Sequence, residues 1–170
     1  EFLKKAEDIL FEDIPDKYLD SKMFLLCPID YEVGKDLINK LHSSGKLSME
    51  LSGYGGASSR RDELSHEQRL SYLKEIIPYF EIVKGGREDC QCLFKEKSPN
   101  VEELAKRFVE WGANIGIITR RSEGVVAATR DASFKIPAFS TNAIDCTGAG
   151  DVWHGGFLFK YLKTEDLRNS

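Results

Sequence analysis

The run "IDCTGAGDVWHGGF", residues Ile144 to Phe157, packs glycines, small residues and two aspartates into one short span. Thr147, Gly148, Ala149 and Gly150 stand between an extended stretch and an amphipathic helical pattern carried by Val152, Phe157, Leu158 and Tyr161. A helix start presents unpaired backbone N–H groups and the positive end of the helix dipole. Glycine lets those groups turn outward and lets a ligand approach without meeting a Cβ. The pattern reads as a cradle for an anion, most naturally a phosphate. A glycine-rich connector that merely starts a helix would use the same residues.

Two standard phosphate motifs fail on this chain. The dinucleotide fingerprint GxGxxG requires glycine three residues after Gly150, where Trp153 stands. The P-loop GxxxxGK[ST] fails at Gly45-Lys46, which has Lys40 in place of the first glycine and Leu47 after the lysine.

Upstream, "MFLLC" (Met23–Cys27) is a short apolar run ended by Pro28 and predicts a fully buried strand. Val33, Leu37 and Leu41 mark one face of a helix that "SSG" stops at Gly45. "LSMEL" (Leu47–Leu51) alternates like a strand, and "SGYGGASSRRDE" is a polar, glycine-rich loop. Ser65 opens a helix with Gln68 completing a capping box, and its apolar stripe is Leu70, Leu73, Ile77 and Phe80. "EIVK" (Glu81–Lys84) predicts another short strand, and "GGREDCQCLF" a turn into a short helix. Ser98 and Pro99 are N-cap and first-turn residues for a helix burying Val101, Leu104, Ala105 and Phe108, which Gly112 ends. Three strand-like runs follow, "NIGIIT", "GVVAAT" and "SFKIPAF", before the glycine turn and a last helix to about Leu162. Buried strands alternating with helices predict a mostly parallel α/β sheet covered on both faces.

The chain has 170 residues, enough for one compact domain with a respectable core. A net charge of −4, with acids and bases mixed along the length, gives no electrostatic reason to bind nucleic acid or an anionic membrane. Cys27, Cys90, Cys92 and Cys146 lack the CxxC spacing of a zinc site, and the composition predicts a reducing, cytoplasmic setting. The start "EFLKKAEDIL" predicts an amphipathic helix rather than a signal peptide or membrane span. A chain without an initial methionine that stops just after a helix predicts a piece of a longer protein.

"DCTGAGD" (Asp145–Asp151) resembles the DTTGAGD signature of the ribokinase-like sugar kinases, the PfkB carbohydrate kinase family, with Cys146 replacing one threonine. "VWHGGF" resembles the family's continuation of that signature, and "ATRDASFKIPAF" its preceding paired strands. The resemblance covers residues 114 to about 162, and the order of helices and strands back to residue 23 agrees with it. It implies a ribokinase-like three-layer α/β/α fold with a mostly parallel central sheet, residues 1–170 forming a single nucleotide-binding core. The lid and terminal elements would lie outside this stretch. It further implies ATP-dependent phosphotransfer to a hydroxyl of a sugar or sugar-like substrate.

In the resemblance Asp151 is the general base, and the N–H groups of Gly148, Ala149 and Gly150 form the anion hole. Asp145 matches a position near substrate or a monovalent cation such as K+. An aspartate there also serves simply to stabilise a turn. The family's Asn-x-x-Glu near magnesium is altered, with Gly86 where Asn is expected and Asp89 where Glu is, so Asp89 is the implied metal residue. First-turn helix acids are the alternative for Asp89 and Glu88. In "ITRRSEG", Thr119 matches the family's phosphate-contacting threonine and Arg121 replaces its glycine, a guanidinium that either adds a phosphate contact or points into solvent as an ordinary surface charge. Thr119, Arg121 and Gly124 are thereby the implied nucleotide-binding residues. His154 is expected to be a packed or surface histidine, and Trp153 a packing residue. "GDVWHGGF" is closer to the family's sugar-kinase branches than to its nucleoside branch. The implied partners are ATP with Mg2+, a small sugar substrate and a second copy of the chain in a homodimer. Two other readings stay open: a member of the same fold that binds a nucleotide or partner without catalysis, and an α/β interaction domain.

Overall fold

A computed structural model of the chain describes residues 7–56, 64–164 and 166–167. In chain order the elements are α1 (Asp16–Leu19), β1 (Met23–Leu26), α2 (Lys35–His42), β2 (Lys46–Glu50), α3 (His66–Ile76) and β3 (Ile82–Gly86). Then come α4 (Arg87–Phe94), α5 (Val101–Glu110), β4 (Ile115–Thr119), β5 (Val125–Ala128), β6 (Ser133–Ile136) and α6 (Ala149–Thr164). The strands form one sheet in the order β1-β2-β3-β4-β5-β6. β1 to β4 are parallel, and β5 and β6 run antiparallel to their neighbours.

Sequential strand order sends successive crossovers to the same face of the sheet, because each parallel connection has the same hand. Alternation along the strands then sorts side chains by face. Leu47 and Met49 of β2, Val83 of β3 and Ile118 of β4 pack with Ile38, Leu41, Leu73, Ile76, Leu104 and Phe108 in the main core under α2, α3, α4 and α5. Ile82, Ile115, Ile117, Val125 and Ala127 face the other way and meet Phe157, Leu158 and Tyr161 of α6. The expected three layers are thus present, with α6 covering the second face.

Local chemistry accounts for the boundaries. Ser65 Oγ accepts the Gln68 N–H at 3.2 Å while Gln68 Oε1 accepts the Ser65 N–H at 2.7 Å, the predicted capping box of α3. α5 is capped two residues later than expected: Asn100 Oδ1, not Ser98, accepts the Glu102 N–H at 3.1 Å. Gly112 ends that region with φ +113°. β1 is not fully buried as "MFLLC" predicts, because it is the edge strand and Leu25 points to the α6 face beyond that helix's reach. Residues 7–10 are not helical; Ile9 instead makes an isolated parallel bridge to Val33. The start of the predicted amino-terminal helix, residues 1–6, and most of the predicted glycine-rich loop, residues 57–63, lie outside the described residues. Val152, expected on the buried stripe of α6, is exposed, and the aromatic stack Trp153–Phe157–Tyr161 makes the packing face instead.

α5 lies so close to β4 that a Cβ on Gly116 would stand 2.0 Å from the Ala105 carbonyl oxygen. Gly116→Ala should therefore force α5 off the sheet and destabilise the domain by about 1–3 kcal/mol, read as a lowered midpoint in chemical denaturation.

Candidate active site

The glycine turn arrives at the carboxyl ends of the parallel strands. Gly148 adopts φ +74°, a left-handed conformation that any Cβ would strain, and a side chain there would meet open space. This twist starts α6. Val152 N–H donates to Gly148 O at 3.0 Å, and Ala149 N–H donates to Cys146 O at 3.1 Å. Among the described residues the N–H groups of Gly148, Gly150 and Asp151 have no acceptor. Two of the three amides of the expected set, Gly148 and Gly150, are thus free among the described residues, while that of Ala149 closes the turn itself. Asp145 Oδ1 accepts the Thr147 N–H at 2.8 Å, which makes Asp145 the turn-stabilising residue and holds its carboxyl below the usual range. Residues 145 to 152 are exposed, and the Asp151 carboxylate stands in no ion pair among the described residues.

Directly behind the turn lies a buried polar cluster that sequence reasoning missed. Ser48 and Glu50 of β2 and Lys84 of β3 project toward α6, with Glu50 and Lys84 opposite one another in the strand register. Ser48 is 0% exposed, Glu50 6%, Lys84 5% and His154 of α6 0%. Lys84 donates a short, charge-assisted hydrogen bond to Glu50. His154 Nε2 lies 2.8 Å from Ser48 Oγ, and its Nδ1, which has no hydrogen-bond partner, lies 3.7 Å from Glu50 Oε2. Ser48, His154 and Glu50 thus follow the order of a nucleophile, base and acid. A fully buried Ser48 cannot reach a substrate, and 3.7 Å is too long for the orienting hydrogen bond. The cluster is therefore structural to the turn. A charged residue inside runs as short and apolar as "LSMEL" and "EIVK" was the available signal, because alternation puts both charges on the α6 face.

Burial raises the Glu50 carboxyl, but the His154 ring and the Lys84 ammonium beside it outweigh this and hold it below the usual value. The Cys27 thiol, just past β1, is pushed up to about 11 by desolvation and then by the negative charges of Glu50 and Asp151. Cys27, Glu50, Lys84 and Asp151 therefore share one neighbourhood.

The expected nucleotide residues sit one strand over. Gly86 and Thr119 are paired in register, and Thr119 Oγ1 donates to Gly85 O at 3.4 Å. Arg121 takes φ +53°, so a side chain occupies a backbone conformation that favours glycine, and its guanidinium pairs with Glu88 at 3.0 Å in solvent. A Cβ on Gly124 would stand 2.0 Å from Ile136 O. Asp89 Oδ2 accepts the Gly86 N–H at 3.1 Å and would lie 2.7 Å from a Cβ at residue 86, so it caps α4 and fills the volume of the missing asparagine. Among the described residues no three His, Cys, Asp or Glu side chains are grouped so as to hold a metal. Cys90 is buried and Cys92 exposed, divergent as expected of helix neighbours two apart. A cavity of about 590 Å³ lies between α5 and the β5–β6 turn, near Glu102, Thr129 and Ser133. That is the opposite end of the sheet from the glycine turn.

The described residues form an α/β domain whose last helix starts at a glycine turn beyond the carboxyl ends of its parallel strands. Residues 57–170 match the pfkB family carbohydrate kinase model, and the chain belongs to that family. It is 30% identical over 158 residues to a cytidine kinase of Thermococcus kodakarensis, covering 91% of this chain and 52% of that protein. It is 28% identical over 108 residues to an ATP-dependent 6-phosphofructokinase of Thermoanaerobacterium thermosaccharolyticum, covering 64% of this chain and 33% of the relative. A pyrophosphate-dependent kinase of the ribokinase family, solved with a pyrophosphate analog and myo-inositol, superposes with a TM-score of 0.78 at 17% identity. That match covers 97% of this chain and 58% of the other, and the fold is ribokinase-like. The chain spans about half or less of the length of these curated relatives. No helix among the described residues is long and apolar enough to cross a membrane.

Because the Glu50 carboxyl is held below its ordinary value of 4.5, its ionised form stabilises the fold fully above about pH 4.5. This contribution fades as pH falls through the lower, folded value. Glu50→Gln leaves Lys84 buried and unpaired and should cost about 3–5 kcal/mol at pH 7. The gap between wild type and variant should narrow on acidification below pH 4.5 in urea unfolding curves; a gap independent of pH would contradict the pairing.

Proposed function

We propose that the protein containing this chain transfers the terminal phosphoryl group of ATP to a hydroxyl of a sugar or sugar-like substrate. The observation that carries this reading is that, among the described residues, the amides of Gly148, Gly150 and Asp151 have no acceptor and the exposed Asp151 carboxylate stands in no ion pair. The amides bind the negative charge of the transferred group, and Asp151 accepts the proton of the attacking hydroxyl. The acceptor oxygen bonds to the γ-phosphorus as the bond to the β–γ bridging oxygen breaks, and ADP leaves with that electron pair. Thr119, Arg121 and Gly124, one strand over, lie on the nucleotide side in this reading.

Magnesium, when present, neutralises phosphate charge. Asp89, which caps α4, would meet the ion through a bound water. The relatives act, by their names, on a nucleoside and on a sugar phosphate, and both present a sugar hydroxyl. That shared group is the acceptor class proposed.

A second reading, a family member that binds nucleotide without transferring phosphate, is favoured by Gly86 and Arg121, which alter the metal and phosphate neighbourhoods. Saturating Mg-ATP at about 100 times its Kd should stabilise the protein by about 2.7 kcal/mol under either reading. Asp151→Asn should then lower turnover by about 10²–10⁴-fold with nucleotide affinity retained. Mg-ATP binding with no turnover on sugars, sugar phosphates or nucleosides would favour the second reading.

A further inference from the structure

The cavity between α5 and the β5–β6 turn, about 590 Å³, falls within the roughly 300–1,000 Å³ of small-molecule sites. Glu102 ties its two walls together, accepting Lys135 of β6 at 3.0 Å and Lys106 of its own helix at 3.2 Å. Farther along the walls the charges are not joined. Glu110 of α5, with Arg130 and Asp131 at the tip of the turn, stands in no ion pair among the described residues. Ser133 also lines the cavity, and its Oγ is buried with no hydrogen-bond partner. Buried hydroxyls are ordinarily hydrogen-bonded, so Ser133 presents a donor and an acceptor to a polar ligand.

Charge decides what fits. Carboxylates and cations face the same space from both walls, so a simple anion or a simple cation meets repulsion from one set. Among the described residues no aromatic side chain lines the cavity, which leaves a nucleobase or a sugar ring nothing to stack on. Val109 and Ala132 add two small apolar surfaces. A short aliphatic α-amino acid matches this pattern. Its carboxylate suits the Arg130 guanidinium and the Lys106 ammonium, its ammonium suits Glu110 and Asp131, and its side chain suits Val109 and Ala132.

We propose that this cavity binds a free α-amino acid with a short aliphatic side chain, and that the β5–β6 hairpin carries its occupancy to the nucleotide side. The Thr129 N–H donates to Ala132 O at 2.8 Å and the Ala132 N–H to Thr129 Oγ1 at 3.2 Å, which fixes the turn as one wall. In the hairpin Ala128 pairs with Ser133 at the cavity end and Val125 with Ile136 at the other, about 10 Å along the strand. There a Cβ on Gly124 would stand 2.0 Å from Ile136 O, so movement of β6 is felt at Gly124. The second half of the proposal rests on the nucleotide reading of Gly124; the amino acid site does not.

L-alanine and L-valine are titrated calorimetrically into the complete protein, beside propionate and ethylamine, which carry one charge each. Both amino acids should bind, and the two half-ligands at least about tenfold more weakly. Glu110→Gln and Arg130→Gln, at exposed positions without ion-pair partners, should keep the wild-type unfolding temperature and weaken amino acid binding about tenfold. Saturating L-valine should slow amide hydrogen exchange over residues 124–128 and change the Kd of Mg-ATP at least about fivefold.

No binding of either amino acid up to about 10 mM, or half-ligands that bind equally well, overturns the site. So does binding that both variants leave within about twofold of wild type. Binding at the cavity with exchange and the Mg-ATP Kd unchanged overturns the link to the nucleotide side. A wild type that takes the amino acid, with slowed exchange, but takes no Mg-ATP supports the site and overturns the nucleotide reading instead.

Discussion

The buried contact between Glu50 and Lys84 sits where the sheet, the last helix and the glycine turn come together. Both side chains come from parallel strands in register, so their meeting is dictated by the backbone and not by long flexible reach. Charges at this depth lose their hydration, and each compensates the other. His154 and Ser48 extend the contact across to α6, so the helix cannot rotate without breaking polar contacts that water does not replace. The orientation of the first turn, and with it the direction of its free amides, follows from that lock.

Sheet topology explains why this layer is available. With strands in sequential order, α2 to α5 crowd one face and bury a continuous apolar core. The opposite face receives α6, whose Phe157, Leu158 and Tyr161 cover β3, β4 and β5. Its amino-terminal turn overhangs the carboxyl ends of β2 and β3, where parallel strands leave room for a ligand. The reversal at β5 brings Gly124 and Arg121 to the same edge, beside Thr119.

How much of this was legible follows from what kind of force sets each feature. Helix and strand positions were readable because they rest on local periodicity and capping, as the Ser65–Gln68 box shows. The cap of α5 was misread because Ser98, Asn100 and the intervening Pro99 all carry start signals, and only geometry selects Asn100. The exposure of β1 was not readable, since an apolar run does not reveal whether its strand lies at an edge. The glycine turn was plain from "DCTGAGD". Its partners were not, because Ser48, Glu50, Lys84 and His154 are as many as 106 residues apart and meet only through the sheet. The engaged amide of Ala149 was equally hidden, being a consequence of how the turn closes on Cys146.

The two departures from the family pattern have different physical characters. At Gly86 the lost asparagine is replaced in space by the Asp89 carboxylate, which is hydrogen-bonded to the Gly86 amide and so completes the start of α4. That position keeps an oxygen at the edge of β3 but commits it to the protein. At Arg121 the opposite holds: the backbone retains the left-handed twist that suits glycine, and the chain bears the strain of a side chain there. The guanidinium is exposed and paired with Glu88, a contact of small worth in solvent. Such a weak pair yields easily to a phosphate, whose geometry suits a guanidinium better than a lone surface carboxylate does. The chain thus carries glycine at the end of β3 where the family pattern has an amide, and an exposed basic group after β4, while Lys84 is buried behind the turn. Charge around the proposed donor site is redistributed toward basic groups, and the amide cradle itself is untouched by either change.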